Sequence, residues 1–89
     1  MHQQKYTCAC ITGATSGIGL AYCHHLANHG IDLILVARDE ETLRELSKKL
    51  SDQYGVNAWY YPIDLSKRES AKALVSAMEL DQLNIDLLI

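Results

Sequence analysis

The chain has no block of basic residues. Its 8 Lys and Arg are dispersed among 11 Asp and Glu, for a net charge of −3 and an isoelectric point near 5.7. That excludes the clustered positive footprint of a nucleic-acid or anionic-membrane binder. No apolar run approaches the length of a membrane-spanning helix, and the opening residues Met1-His2-Gln3-Gln4-Lys5 are polar rather than signal-like. Cysteine is sparse and odd in number, at 3 residues, which reads as free thiols in a cytoplasmic protein. Proline occurs once. What is present is an ordinary globular composition, 48% hydrophobic and 21% charged, in 89 residues, enough for one small core.

Apolar periodicity divides that length into short alternating elements. Residues 6–12 form an apolar run that stops at a glycine-containing turn, as a buried strand does. Residues 17–29 read as a helix with Ile18, Tyr22 and Leu26 on one stripe, and Gly30 is placed to end it in a left-handed conformation. Residues 33–36 are nearly all branched and apolar, as in a parallel strand covered on both faces. A second helix over 40–53 buries Leu43, Leu46 and Leu50, carries acidic residues in its first turn and Lys48 and Lys49 near its end, and is broken by Gly55. Residues 56–63 are a third strand whose Pro62 marks an irregular end or an edge. Ser66-Lys67-Arg68-Glu69 fits a capping box, and the helix after it carries Ala71, Leu74, Val75 and Met78 on one side. Residues 86–89 open a fourth strand. The order β-α-β-α-β-α-β, without a linker or repeat, predicts an α/β chain: one domain holding the N-terminal half of a Rossmann-type, doubly wound parallel sheet. The apolar run Ile85-Asp86-Leu87-Leu88-Ile89 stops without a cap or polar tail, so the domain over 1–89 is expected to be the first part of a longer protein.

Between the first strand and the first helix lies Thr12-Gly13-Ala14-Thr15-Ser16-Gly17-Ile18-Gly19. A strand feeding a Gly-rich turn that opens a helix is the setting in which such a motif cradles phosphates. Gly13 suits a tight turn, Gly17 lets a pyrophosphate approach the backbone, and Gly19 lets the helix pack closely. The helix N-terminus offers unpaired N–H groups and a positive dipole end, while Thr15 and Ser16 add hydroxyls. The bland alternative is a turn that binds nothing. A phosphate-loop NTPase is excluded because no Gly-Lys-Ser/Thr follows.

The spacing resembles the T-G-x-x-x-G-I-G signature of the short-chain dehydrogenase/reductase family. Three other segments add to the likeness: Leu35-Val36-Ala37-Arg38, Ile63-Asp64-Leu65-Ser66 and Ile85-Asp86-Leu87-Leu88-Ile89. In that family they occupy the 2′-phosphate or ribose site, the adenine contact, and the strand before an Asn-Asn-Ala-Gly motif. The resemblance implies a cofactor site built from Gly13, Thr15, Ser16, Gly17, Ile18, Gly19, Arg38, Asp64 and Leu65. Asp64 would accept from the adenine amino group and the Leu65 N–H would meet a ring nitrogen, unless Asp64 merely ends a strand.

NAD-selective sites place a carboxylate about twenty positions beyond the glycines. Here that place holds Ala37, followed by Arg38, whose guanidinium can clamp a 2′-phosphate. NADP is therefore favoured over NAD, unless Arg38 is a solvated loop residue and Asp39 the helix cap. The resemblance further implies carbonyl–alcohol hydride transfer on a small-molecule substrate, in a homo-oligomer. The family's Ser and Tyr-x-x-x-Lys are not in this stretch: Tyr6, Tyr22, Tyr54, Tyr60 and Tyr61 are followed four residues on by Cys10, Leu26, Ala58, Asp64 and Leu65. No catalytic residue is expected within these residues. The rival readings are a Rossmann module that holds or senses nucleotide without turnover, and a truncated product stabilised through its exposed fourth strand.

Cys8-Ala9-Cys10 invites a metal reading, but two sulfurs on one strand face need two more ligands. No metal is expected, and the cysteines read as small core residues. His24, His25 and His29 read as the solvated side of their helix, and Trp59, Tyr60 and Tyr61 as packing residues.

Overall fold

The computed structural model describes residues 7–81 and 87–89. The elements are β1 (Cys8–Thr12), α1 (Gly17–Asn28), β2 (Asp32–Ala37), α2 (Glu40–Tyr54), β3 (Ala58–Pro62), α3 (Arg68–Leu80) and β4 (Leu87–Leu88). All neighbouring strands pair in parallel, in the order β3-β2-β1-β4. The expected α/β alternation is the one observed.

Side-chain alternation along β1 and β2 divides the core in two. Ala9, Ile11, Leu33 and Leu35 face α1 and α2, where they meet Cys23, Leu26, Leu43, Leu46 and Leu50. Cys8, Cys10, Ile34 and Val36 face the other way, against Leu74 and Met78 of α3. The chain moves from β1 outward to β3, then returns across the sheet to place β4 on the far side of β1. With crossovers of one hand, reversing direction moves the helix to the opposite face. The apolar residues of β2 are therefore covered on both faces, as its branched sequence requires.

Several local expectations need correction. In α1, Ile18 is 76% exposed and Tyr22 42% exposed; the buried residues are Cys23, Leu26 and Ala27. The small residues Gly19, Cys23 and Ala27 recur every fourth position, and a helix that must approach the β1 turn closely turns that face inward. α3 buries Leu74 and Met78 but leaves Ala71 and Val75 exposed. Its N-cap is Lys67, without a side-chain bond, rather than Ser66. The Ser66 N–H donates instead to Asp64 Oδ1 at 3.0 Å, an Asx turn that holds Ser66 one residue short of the cap. α2 runs one residue further than expected, to Tyr54, so Lys48 and Lys49 lie short of its last turn. Gly30 and Gly55 take the left-handed conformation (φ 77° and 72°), and Pro62 ends a strand at the sheet's edge.

Candidate nucleotide-binding site

At the C-terminal ends of β1, β2 and β3 lies an open cleft of about 420 Å³. Such crevices, where the strand order reverses, are where open α/β sheets bind ligands. The cleft brings together Gly13, Thr15, Ser16, Arg38, Asp64 and Leu65 of the nine expected site residues. Gly17, Ile18 and Gly19 are not on its wall but form the start of α1.

The β1 turn is built for close approach. Gly13 and Gly17 have φ of 61° and 56°, a conformation that side-chain-bearing residues rarely adopt. A Cβ at Gly17 would meet nothing within 4 Å, so the backbone there is bare to the outside. Gly19 is the opposite case: a Cβ would fall 2.1 Å from the Gly13 carbonyl oxygen. Its hydrogen is what allows the first turn of α1 to press against the glycine turn itself. Ala14 N–H donates to Val36 O at 3.2 Å, tying the turn to β2.

The ladder of α1 begins with Leu20 N–H donating to Ser16 O, at 3.3 Å. The N–H groups of Gly17, Ile18 and Gly19 therefore stand outside it. No acidic residue sits in that first turn, and the N-cap Ser16 makes no side-chain cap bond. The positive end of the helix dipole is thus not neutralised locally, and the Ser16 hydroxyl is not committed to capping. What Ile18 offers is its amide, because its side chain points into solvent.

The two carboxylates of the cleft are both engaged by neighbouring backbone. Asp39 caps α2: Oδ1 accepts from Glu41 N–H at 3.1 Å and Thr42 N–H at 3.5 Å, and Oδ2 accepts from the Thr42 hydroxyl at 2.6 Å. Hydrogen bonding by Thr42, with Glu41 assisting, holds its carboxyl below the usual range. Asp64 is lowered likewise, first by Ser66 and then by the charges of Arg38 and Lys67. Asp39 caps α2 and Arg38 is exposed beside it, which is the arrangement set against the Arg38 clamp above; an exposed guanidinium next to the cap can still meet an anion.

Thr12 and Ile63, which belong to the glycine-turn and adenine-contact segments but not to the nine expected site residues, also line the cleft, and the part of Thr42 is new. Thr12 N–H and Oγ1 both donate to Ile89 O, each at 2.9 Å, so it closes the end of β4. The readable signals were the strand-end positions of Thr12 and Ile63, and the Asp-x-x-Thr spacing at Asp39.

The three cysteines are buried and form no disulfide. Burial raises Cys10 and pushes Cys23 up to about 12, so both stay protonated and unreactive. Cys23 lies on the opposite face of the sheet from Cys8 and Cys10. Among the described residues no three His, Cys, Asp or Glu gather as metal ligands, and no helix is long and apolar enough to cross a membrane. His24 is not on the solvated side as expected. It is half-buried, with Nδ1 2.9 Å from the Tyr54 hydroxyl. Trp59 is 37% exposed, whereas Tyr60 and Tyr61 pack against the two halves of the core.

Residues 7–89 match the family model described as short chain dehydrogenase, and the chain belongs to that family. It is 42% identical over 59 residues to a rat protein named inactive hydroxysteroid dehydrogenase-like protein 1, covering 66% of this chain and 18% of the relative. It is 42% identical over 67 residues to a 7beta-hydroxysteroid dehydrogenase of Clostridium sardiniense, covering 75% and 26%. L-sorbose reductase of Gluconobacter frateurii, solved with NADPH and L-sorbose, superposes with a TM-score of 0.87 at 32% identity, covering 94% of this chain and 32% of the reductase. The chain thus spans 18% to 26% of the length of these curated relatives.

Proposed function

We propose that this chain is the NADP-binding part of an oxidoreductase that interconverts a carbonyl and an alcohol. The observation that carries the reading is the composition of the cleft: a bare glycine turn with an unneutralised helix N-terminus at one end, and Arg38 beside Ala37 at the other. A pyrophosphate fits the first, where a Cβ would be in the way and free N–H groups converge. A 2′-phosphate fits the second, where Ala37 brings no negative charge and Asp39 is occupied in the α2 cap. Asp64 and the Leu65 N–H are assigned to the adenine edge. NADPH in L-sorbose reductase, a similar structure, supports this choice of cofactor.

When bound, the nicotinamide supplies or receives the hydride. The residues described here orient the dinucleotide; a small carbonyl or alcohol is the proposed substrate, and a homo-oligomer the proposed assembly. A second reading, nucleotide holding without turnover, draws on the name of the rat relative.

The test is titration of wild type and Arg38→Ala with NADP and with NAD. Losing a charge-assisted contact of about 1.5–3 kcal/mol should weaken NADP roughly 10- to 150-fold. NAD should be little affected. Equal loss for both cofactors, or none, defeats the assignment.

A further inference from the structure

His25 and His29 are four residues apart at the end of α1, both exposed, with ring centroids 4.7 Å apart and planes inclined at 51°. The cleft and its chemistry make no use of them. We infer that this pair is a surface chelate for a divalent transition-metal cation of the kind imidazole favours.

Three observations converge on it. Histidines at i and i+4 share one face of a helix, the spacing by which two imidazoles grip one ion. Two rings bound through nitrogen at about 2.0–2.1 Å, at tetrahedral or square-planar angles, have centres roughly 4.5–5.2 Å apart. The observed 4.7 Å lies in that interval before any ion is added. Next, His29 Nδ1 is 2.8 Å from the His25 carbonyl oxygen. A carbonyl only accepts, so Nδ1 carries the proton, and in the neutral ring the lone pair is on Nε2. A backbone carbonyl fixing the tautomer and orientation of a histidine is the arrangement that metal-ligating imidazoles use. Third, His25 lies in the last turn of α1 and His29 caps it, so the ion would sit at the negative end of the helix dipole.

Two protein ligands leave the remaining positions to water, so the site is an exchangeable one. Affinity should follow the imidazole order, with Cu²⁺ above Ni²⁺ and Ni²⁺ above Co²⁺, while Mg²⁺ and Ca²⁺ do not bind there. His24, the adjacent residue, is turned toward Tyr54 and takes no part.

The experiment is calorimetric titration of the protein with NiCl₂, comparing wild type with His25→Asn and His29→Asn, and with His2→Asn and His24→Asn as controls. One ion per chain is expected. Either of the first two substitutions should weaken it roughly a hundredfold, because a chelate becomes a single contact. Ala21 is exposed and four residues before His25. Adding Ala21→His to His29→Asn should therefore restore binding by re-forming an i, i+4 pair. Nickel affinity unchanged in His25→Asn, loss in His2→Asn or His24→Asn, or failure of Ala21→His to rescue would each overturn the assignment.

Discussion

Gly19→Ala sets two well-defined effects against each other. Alanine is the better helix former, by about 1 kcal/mol in a helix interior. On propensity alone, the substitution should stabilise the first turn of α1. The structure places the new Cβ 2.1 Å from Gly13 O, 2.8 Å from Gly13 C and 3.2 Å from Thr12 O. Even an attractive carbon–oxygen contact lies at about 3.3–3.6 Å, so the methyl is roughly 1.2 Å too close. The obstacle is main chain and cannot rotate aside, so the glycine turn must move outward. Overpacking of this kind costs about 1–3 kcal/mol, and an overlap of this depth with main chain belongs in the upper part of that range, about 2–3 kcal/mol, which exceeds the gain in propensity. We expect a net loss of about 1–2 kcal/mol, seen as a fall in thermal midpoint of about 4–8 °C per kcal/mol in a chain of this size. The same displacement moves the N–H groups of the turn away from a bound phosphate. NADP affinity should fall at least about tenfold, since each lost charge-assisted hydrogen bond is worth about 1.5–3 kcal/mol. Urea unfolding and a fluorescence titration with NADPH measure the two effects separately. A variant as stable as wild type would show that the close approach of α1 to the Gly13 turn is not a constraint.

Thr42→Val removes the hydroxyl that holds Asp39 Oδ2 while leaving the two backbone donors to Oδ1. The released oxygen should repel a 2′-phosphate and accept from a 2′-hydroxyl, shifting the NADP/NAD affinity ratio toward NAD by up to about tenfold. Thr42→Ser should preserve the wild-type ratio, and a ratio unmoved in both would remove Thr42 from cofactor choice. Leu50→Ala, at a residue with no exposure between α2 and the sheet, should cost about 2–5 kcal/mol in chemical unfolding. Leu80→Ala, where the side chain is 84% exposed, should stay within about 0.5 kcal/mol; similar losses at the two sites would contradict the packing described.

The strand–turn–helix order was legible because its signals are local. The uninterrupted apolar run at 33–36, the leucines of α2 at i, i+3 and i+7, and the glycines after the first two helices depend only on neighbours in sequence. Most of the cleft was legible for the same reason, since strand ends and the glycine turn fix where it must lie. What misled was size. Ile18 and Tyr22 are the larger apolar residues of α1, yet the small face of Gly19, Cys23 and Ala27 goes inward. Periodicity weighs hydrophobicity and does not weigh how near a helix must come to the chain beneath it. The cap of α3 was displaced by a comparable competition: Ser66 has the right chemistry, but Asp64 reached its amide first.

In the proposed site the glycine turn and Arg38 attract an anion, yet the cleft also contains Asp39 and Asp64, in a chain of net charge −3. The conflict resolves in where those charges are directed. Asp39 is placed at the mouth of α2, whose first turn also carries Glu40 and Glu41, so negative charge there is absorbed by the positive pole of that helix. α1 has no acidic residue in its first turn, and its pole remains available. Asp64 is turned onto the amide of Ser66, two residues ahead of it. Two parallel helices thus start near one cleft with opposite electrostatic states, one neutralised by its own sequence and one left open. In the proposed site the pyrophosphate of a dinucleotide has only one of them to bind, which would set the direction in which the cofactor lies across β1 and β2.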